Sequence, residues 1–232
     1  MAPLFLRSSR PALPQYTELH AHSAFTFLEA TDFPADLVRG ASELGLSGLG
    51  ILDVDGMYSA VQTARAGKTY SLPIIHGVEL TLSHIDIDDP SAQGGSGFVR
   101  MVGDNGSFSQ RRQKREGIST ASSVRIQKGI GLKKGSDDPG LRLPVLARSQ
   151  SGYHTLCSLL SAHFLAEPGR RKARLNLNEV EQFAHQKWDL FALTGTTHGP
   201  LRRALAEHGI RGAHHVLDQL KETFGPSNVA VE

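Results

Sequence analysis

Between residues 16 and 82 the hydrophobic pattern switches between a period of two and a period of 3.6, and that alternation restricts the fold more than any other feature. Residues 16–22 alternate strictly, with Thr17, Leu19 and Ala21 on one face of a strand and Glu18, His20 and His22 on the other. Thr31 and Asp32 ahead of Pro34 start a helix, and Leu37, Val38, Ala41 and Leu44 recur at helical spacing until Gly45. Leu49, Gly50, Ile51 and Leu52 read as a second strand ending at Asp53, residues 57–66 as a second helix, and residues 72–75 as the lead into a strand ending near Glu79. Strands separated by single helices pair in parallel. The expectation is therefore an α/β sheet or barrel of parallel strands with polar residues at the strand ends.

That rhythm stops after Leu82. Residues 86–140 contain SAQGGSG and RRQKREG, show no sustained period, and read as a long disordered insertion of low complexity. Periodicity returns with a strand at 143–147 and a helix at about 152–165 that turns Tyr153, Leu156, Leu159 and Leu160 inward. A short helix at 177–183, a strand at 190–193 and a last helix carrying Val216, Leu217, Leu220 and Phe224 follow. Residues 228–232 read as a strand cut off in progress, which implies an incomplete βα domain. The chain thus divides into a tail (1–15), a first part (16–85), a basic insertion (86–140) and a truncated second part (141–232).

With 232 residues, 39% of them hydrophobic, one large domain with a real core is expected. A formal net charge of +2 does not mark the whole chain as a polyanion binder, and the basic character is local. Residues 90–140 carry nine Lys/Arg against four acids, but a run such as Arg111 to Arg115 in a flexible segment is ordinarily just solvated. The single cysteine, Cys157, excludes an internal disulfide, fits a reducing cytosol and reads as a small buried apolar residue. No apolar run reaches membrane-spanning length, and Pro3, Pro11, Pro14 and two arginines interrupt the first fifteen residues. The sequence reads as soluble and cytoplasmic, with no membrane partner.

Two histidines at i and i+2 on a strand present both imidazoles to one side, and neutral imidazole nitrogens suit zinc, manganese or iron. A lone His-x-His also occurs among surface and core histidines, so its neighbours decide the matter. Here Glu29 follows the pair, Asp53 and Asp55 follow the second strand, and Glu79 ends the third. Carboxylates and imidazoles converging at neighbouring strand ends form the pattern of a multinuclear metal site. His76, beside Gly77, reads as a satisfied histidine.

Five segments in order, YTELHAHSAFTFLEA, GLGILDVDGMYSAVQTA, PIIHGVELTL, LPVLARSQSGYHTLCSLLSAHFL and LFALTG, resemble the PHP (polymerase and histidinol phosphatase) domain at the N-terminus of bacterial C-family DNA polymerases, nearest the error-prone branch. The resemblance covers residues 16–82 and 141–232. It implies a distorted β/α barrel with metal ligands at the C-terminal ends of its strands. Stand-alone relatives hydrolyse phosphate esters, and some replicative polymerases proofread with this site.

By that resemblance His20 and His22 match the first metal motif, Glu29 stands where a ligand Asp is usual, and Glu79 matches an acidic ligand. The family's Thr-Asp-His-Asp-Gly reads Leu52-Asp53-Val54-Asp55-Gly56 here, so its histidine is Val54, with Asp53 and Asp55 left to support the ligands. Arg142 aligns with another usual histidine and Thr196 with a usual cysteine, and the final Asp-x-His lies beyond Glu232. The implied centre is degenerate, one weakly held zinc or manganese resting on His20, His22 and Glu79.

The implied role is structural, within an error-prone polymerase acting in replication, translesion synthesis and repair of damaged DNA. Its partners would be the rest of the polymerase and DNA, and the nucleotidyltransferase aspartates of the family lie downstream. Two alternatives are a stand-alone phosphoesterase with a reduced site and a decayed remnant.

Overall fold

In the computed structural model the described residues are 16–83, 85, 140–166, 174–183 and 189–232. Contacts divide the chain into one unit made of Met1–Ile87 with Pro139–Glu232, described below, and a second, Asp88–Asp138. The second unit, and with it the expected disordered insertion, lies outside the described residues, as do the expected tail and the region of Arg111 to Arg115.

Six strands form one sheet in chain order: β1 (Thr17–Ala21), β2 (Gly48–Ile51), β3 (Ile74–Leu82), β4 (Leu141–Ala147), β5 (Leu190–Leu193) and β6 (Val229–Ala230). The helices are α1 (Pro34–Glu43), α2 (Ala60–Tyr70), α3 (Gln150–Ala166), α4 (Leu177–Phe183) and α5 (Pro200–Phe224). Pro34 opens α1 at its first turn, where its missing N–H costs nothing, and Val38 and Ala41 give the helix its buried stripe. The second helix starts three residues later than the periodicity predicts, and β3 runs on to Leu82 instead of stopping near Glu79. Gly209, at φ 67° and ψ −163°, kinks α5 into two helical stretches.

The strands are not all parallel. β1, β2 and β3 pair in parallel, but β4 runs against both β3 and β5, and β6 is again parallel to β5. The register explains the reversal. Leu82 at the end of β3 lies opposite Leu141 at the start of β4, so the chain returns at the end it left and needs no crossover helix.

The side chains alternate between two faces of this sheet. Outward, α1 and α2 cover β1 and β2 through Val38, Ala41, Leu49, Ile51 and Ala66. Also outward, α3, α4 and α5 cover β3, β4 and β5 through Val78, Leu143, Leu156, Leu159 and Phe224. Inward, Leu52, Leu146 and Leu193 form a third cluster with Leu19, Ile75, Phe191 and Ala230. Leu19 lies on β1 and Ala230 on β6, opposite edges of the sheet, so their meeting in one cluster means that the sheet curls into an open half-barrel.

Candidate metal centre

The candidate site sits on the inward face, and a bulge in β1 aims its histidines. Glu18 pairs with Leu49 and Ala21 with Ile51, which leaves one extra residue on β1. Strict alternation, expected from the sequence, therefore fails at this point. Leu19 joins the inner cluster while Ala21 packs on the outer one, and His20 and His22 both still face inward toward Glu79. The Glu18 carboxylate accepts the His20 backbone N–H at 2.9 Å, which satisfies a donor inside the bulge. Gly50 makes room for it, since a Cβ there would lie 2.7 Å from the Leu19 carbonyl oxygen.

Glu79 enters from the middle of β3. Its Oε1 lies 3.3 Å from His20 Nε2 and its Oε2 lies 3.3 Å from His22 Nε2. One ligand atom from each of these three residues falls within 4.8 Å of the others. Both Nε2 atoms are buried and neither has a partner in hydrogen-bonding geometry. Buried nitrogens seldom stay unsatisfied, and two of them converging beside one carboxylate match the donor set of a divalent cation. Burial by itself would raise the Glu79 carboxyl, but the two imidazoles outweigh it and bring it down to about 2. Burial likewise works to lower His20, and the carboxylates of Glu79 and Glu232 overcome it and raise that imidazole above its ordinary value.

Two further charged residues shape the site. Arg142, inward on β4, is 3.4 Å from Glu79 Oε2 and 2.9 Å from Glu29 Oε1. Its guanidinium thus bridges Glu79 and Glu29. Glu232, two residues beyond Ala230, accepts from His20 Nδ1 at 2.8 Å. With Nδ1 held by a carboxylate, Nε2 is the nitrogen left for an ion, the arrangement by which carboxylates orient metal-binding histidines. Sequence reading passed over Glu232. The available signal was its spacing of two from Ala230, which puts both residues on one face of an extended segment.

The other expected acids are elsewhere engaged. Glu29 is 45% exposed at its side chain, pairs with Arg142 and stands outside the group of three. Asp53 is buried, and its Oδ1 accepts from the Ser23 N–H, the Ser23 hydroxyl and the Thr26 hydroxyl, which ties down the turn after β1. Asp55, at φ 50°, accepts the Thr81 N–H on Oδ1 and the Thr81 hydroxyl on Oδ2, both at 2.7 Å. Burial raises its carboxyl, partly offset by those two bonds. Val54 makes an isolated parallel bridge with Glu79 and brings no donor atom. His76 alternates outward from Glu79, away from the centre.

The sequence model of the PHP domain matches residues 18–232. The chain belongs to the PHP domain family. This PHP domain is also similar to proteins named error-prone DNA polymerase: 32% identical to that of Nocardia farcinica over 96% of this chain, 31% to that of Mycolicibacterium paratuberculosis over 97%, and 32% to that of Cutibacterium acnes over 98%. The PHP chain spans 19%, 16% and 16% of those relatives. Among its described residues no helix is long and apolar enough to cross a membrane.

Proposed function

We propose that this PHP domain is a supporting region of an error-prone-type DNA polymerase and that it holds a single divalent cation, weakly, on His20, His22 and Glu79. Its similarity to proteins named error-prone DNA polymerase, of which it spans less than a fifth, supports a context of DNA synthesis. The observation that carries the reading is the Arg142 guanidinium 3.4 Å from Glu79, on the same carboxylate the two buried Nε2 atoms face. A trinuclear centre needs more anionic and imidazole donors than this. Here one carboxylate is shared between a fixed positive charge and one ion, and Glu232 orients one of the two histidines.

Zinc or manganese at this position would supply Lewis acidity. Metal analysis after gel filtration tests the reading: we expect at most one Zn or Mn per chain, removed by dialysis against EDTA and abolished in His20→Ala and Glu79→Ala. Near-stoichiometric metal surviving the chelator would overturn it. Primer extension by this chain alone is expected to be absent.

The unpartnered Nε2 pair favours a second reading, a phosphoesterase with a reduced site. Hydrolysis of bis-p-nitrophenyl phosphate that disappears in both alanine variants would select that reading, and unchanged background in both would remove it.

A further inference from the structure

Between α2 and α3, on the outward face of the sheet, lies a cleft of about 690 Å³. It marks the seam between the two outer clusters, floored by the start of β3 and the end of β4. From α2 it receives Val61, Ala64, Arg65 and Lys68, which share one stripe of the helix at spacings of three and four. Arg148 comes from just past β4, and the first residues of α3 add Tyr153 and His154.

The charge at this seam is one-sided. No Asp or Glu lines the cleft, and among the described residues neither Arg65 nor Lys68 has a carboxylate within ion-pair distance. The Arg148 guanidinium donates to the neutral amide oxygen of Asn228. The adjoining carboxylate of Asp189 accepts from the Ser149 hydroxyl at 2.7 Å. The three cations are exposed, whereas His76 and Tyr153 are half-buried. His76 and Tyr153 meet edge to face at 5.8 Å, and Tyr153 and His154 at 6.2 Å, so a row of rings lies inside a basic rim.

We propose that this cleft binds single-stranded nucleic acid, with Arg65, Lys68 and Arg148 on the phosphates and the Tyr153 ring, flanked by His76 and His154, against a base. Cations outside and rings inside match a strand whose bases are free to turn inward. A duplex keeps its bases stacked and out of reach. The volume accommodates a nucleotide. Because the histidines and Glu79 of the metal centre face the other side of the sheet, the cleft acts without the ion and stands apart from the proposal above.

The test is fluorescence anisotropy of fluorescein-labelled (dT)12 with the full chain in EDTA, at several salt concentrations. Arg65→Glu and Lys68→Glu, both on an exposed helix face, are expected to weaken binding at least tenfold each. Each lost phosphate contact should reduce the salt slope by about 0.7. Arg202→Glu on α5, an equal change in net charge, should cost less than twofold. Three results would each overturn the proposal: no binding by the wild type, equal losses in all three variants, or equal competition by a duplex or by inorganic polyphosphate.

Discussion

Arg142 and His22 both face Oε2 of Glu79, at 3.4 and 3.3 Å, so an arriving cation meets a positive charge already in place. Replacing that charge by a ligand should reverse the balance. In Arg142→His, isothermal titration with Zn or Mn is expected to show at least tenfold tighter binding, about 1.4 kcal/mol. Unchanged affinity would mean that the guanidinium does not oppose the ion. Glu79 carries a second prediction. Its carboxyl titrates at about 2 in the folded chain against an ordinary 4.5, so the unfolded state binds the extra proton. The stability this adds is complete above pH 4.5 and is lost as pH falls through about 2, on the order of 3 kcal/mol. In EDTA, urea midpoints of wild type and Glu79→Gln should differ at pH 6 and converge toward pH 2. A constant gap would assign the difference to packing.

Among the elements, β1 carries His20 and leads directly into His22. Its extra residue between Glu18 and Ala21 puts Leu19 into the inner cluster and still presents both histidines to Glu79. Gly50 on β2 permits this because the Leu19 carbonyl passes where a Cβ would stand. Gly50→Ala is expected to cost about 1–3 kcal/mol, as overpacking does. It should also weaken metal binding by displacing the bulge. A variant that melts lower yet binds metal normally would separate the glycine from the site. The turn after β1 is held from below, where three donors converge on one oxygen of Asp53. An acid counted among the metal-site candidates thus serves the backbone that carries the histidines.

For the whole described unit, the sheet separates one apolar cluster on its inner face from two on its outer face. Leu82 and Leu141 face each other across β3 and β4, which predicts that a short loop suffices to join them. Replacing residues 88–138 by four Gly/Ser residues should leave the melting temperature within about 5 °C, a shift on the order of 1 kcal/mol. Metal binding at His20 and His22 should persist. A large drop would show that the replaced segment supports the unit. The inner cluster is the more sensitive part: Leu52, fully buried beneath the site, should cost about 2–5 kcal/mol when replaced by Ala.

Much of this was readable along the chain, because the relevant information is local. Apolar spacing marked nearly every strand and helix, and strand periodicity put His20 and His22 on one side, a relation that survives the bulge. The five motif segments identified the family, which the match over residues 18–232 bears out. Pairing direction and contacts between distant residues required the folded chain. Periodicity is the same for a parallel and an antiparallel strand, so the reversal of β4 follows only from where Leu141 re-enters. The meeting of Glu232 with His20, 212 positions apart, depends on how far the sheet curls. So do the approach of Arg142 to Glu79 and the diversion of Asp55 to Thr81, since hydrogen bonds and ion pairs form over about 3 Å in space, whatever the separation in sequence.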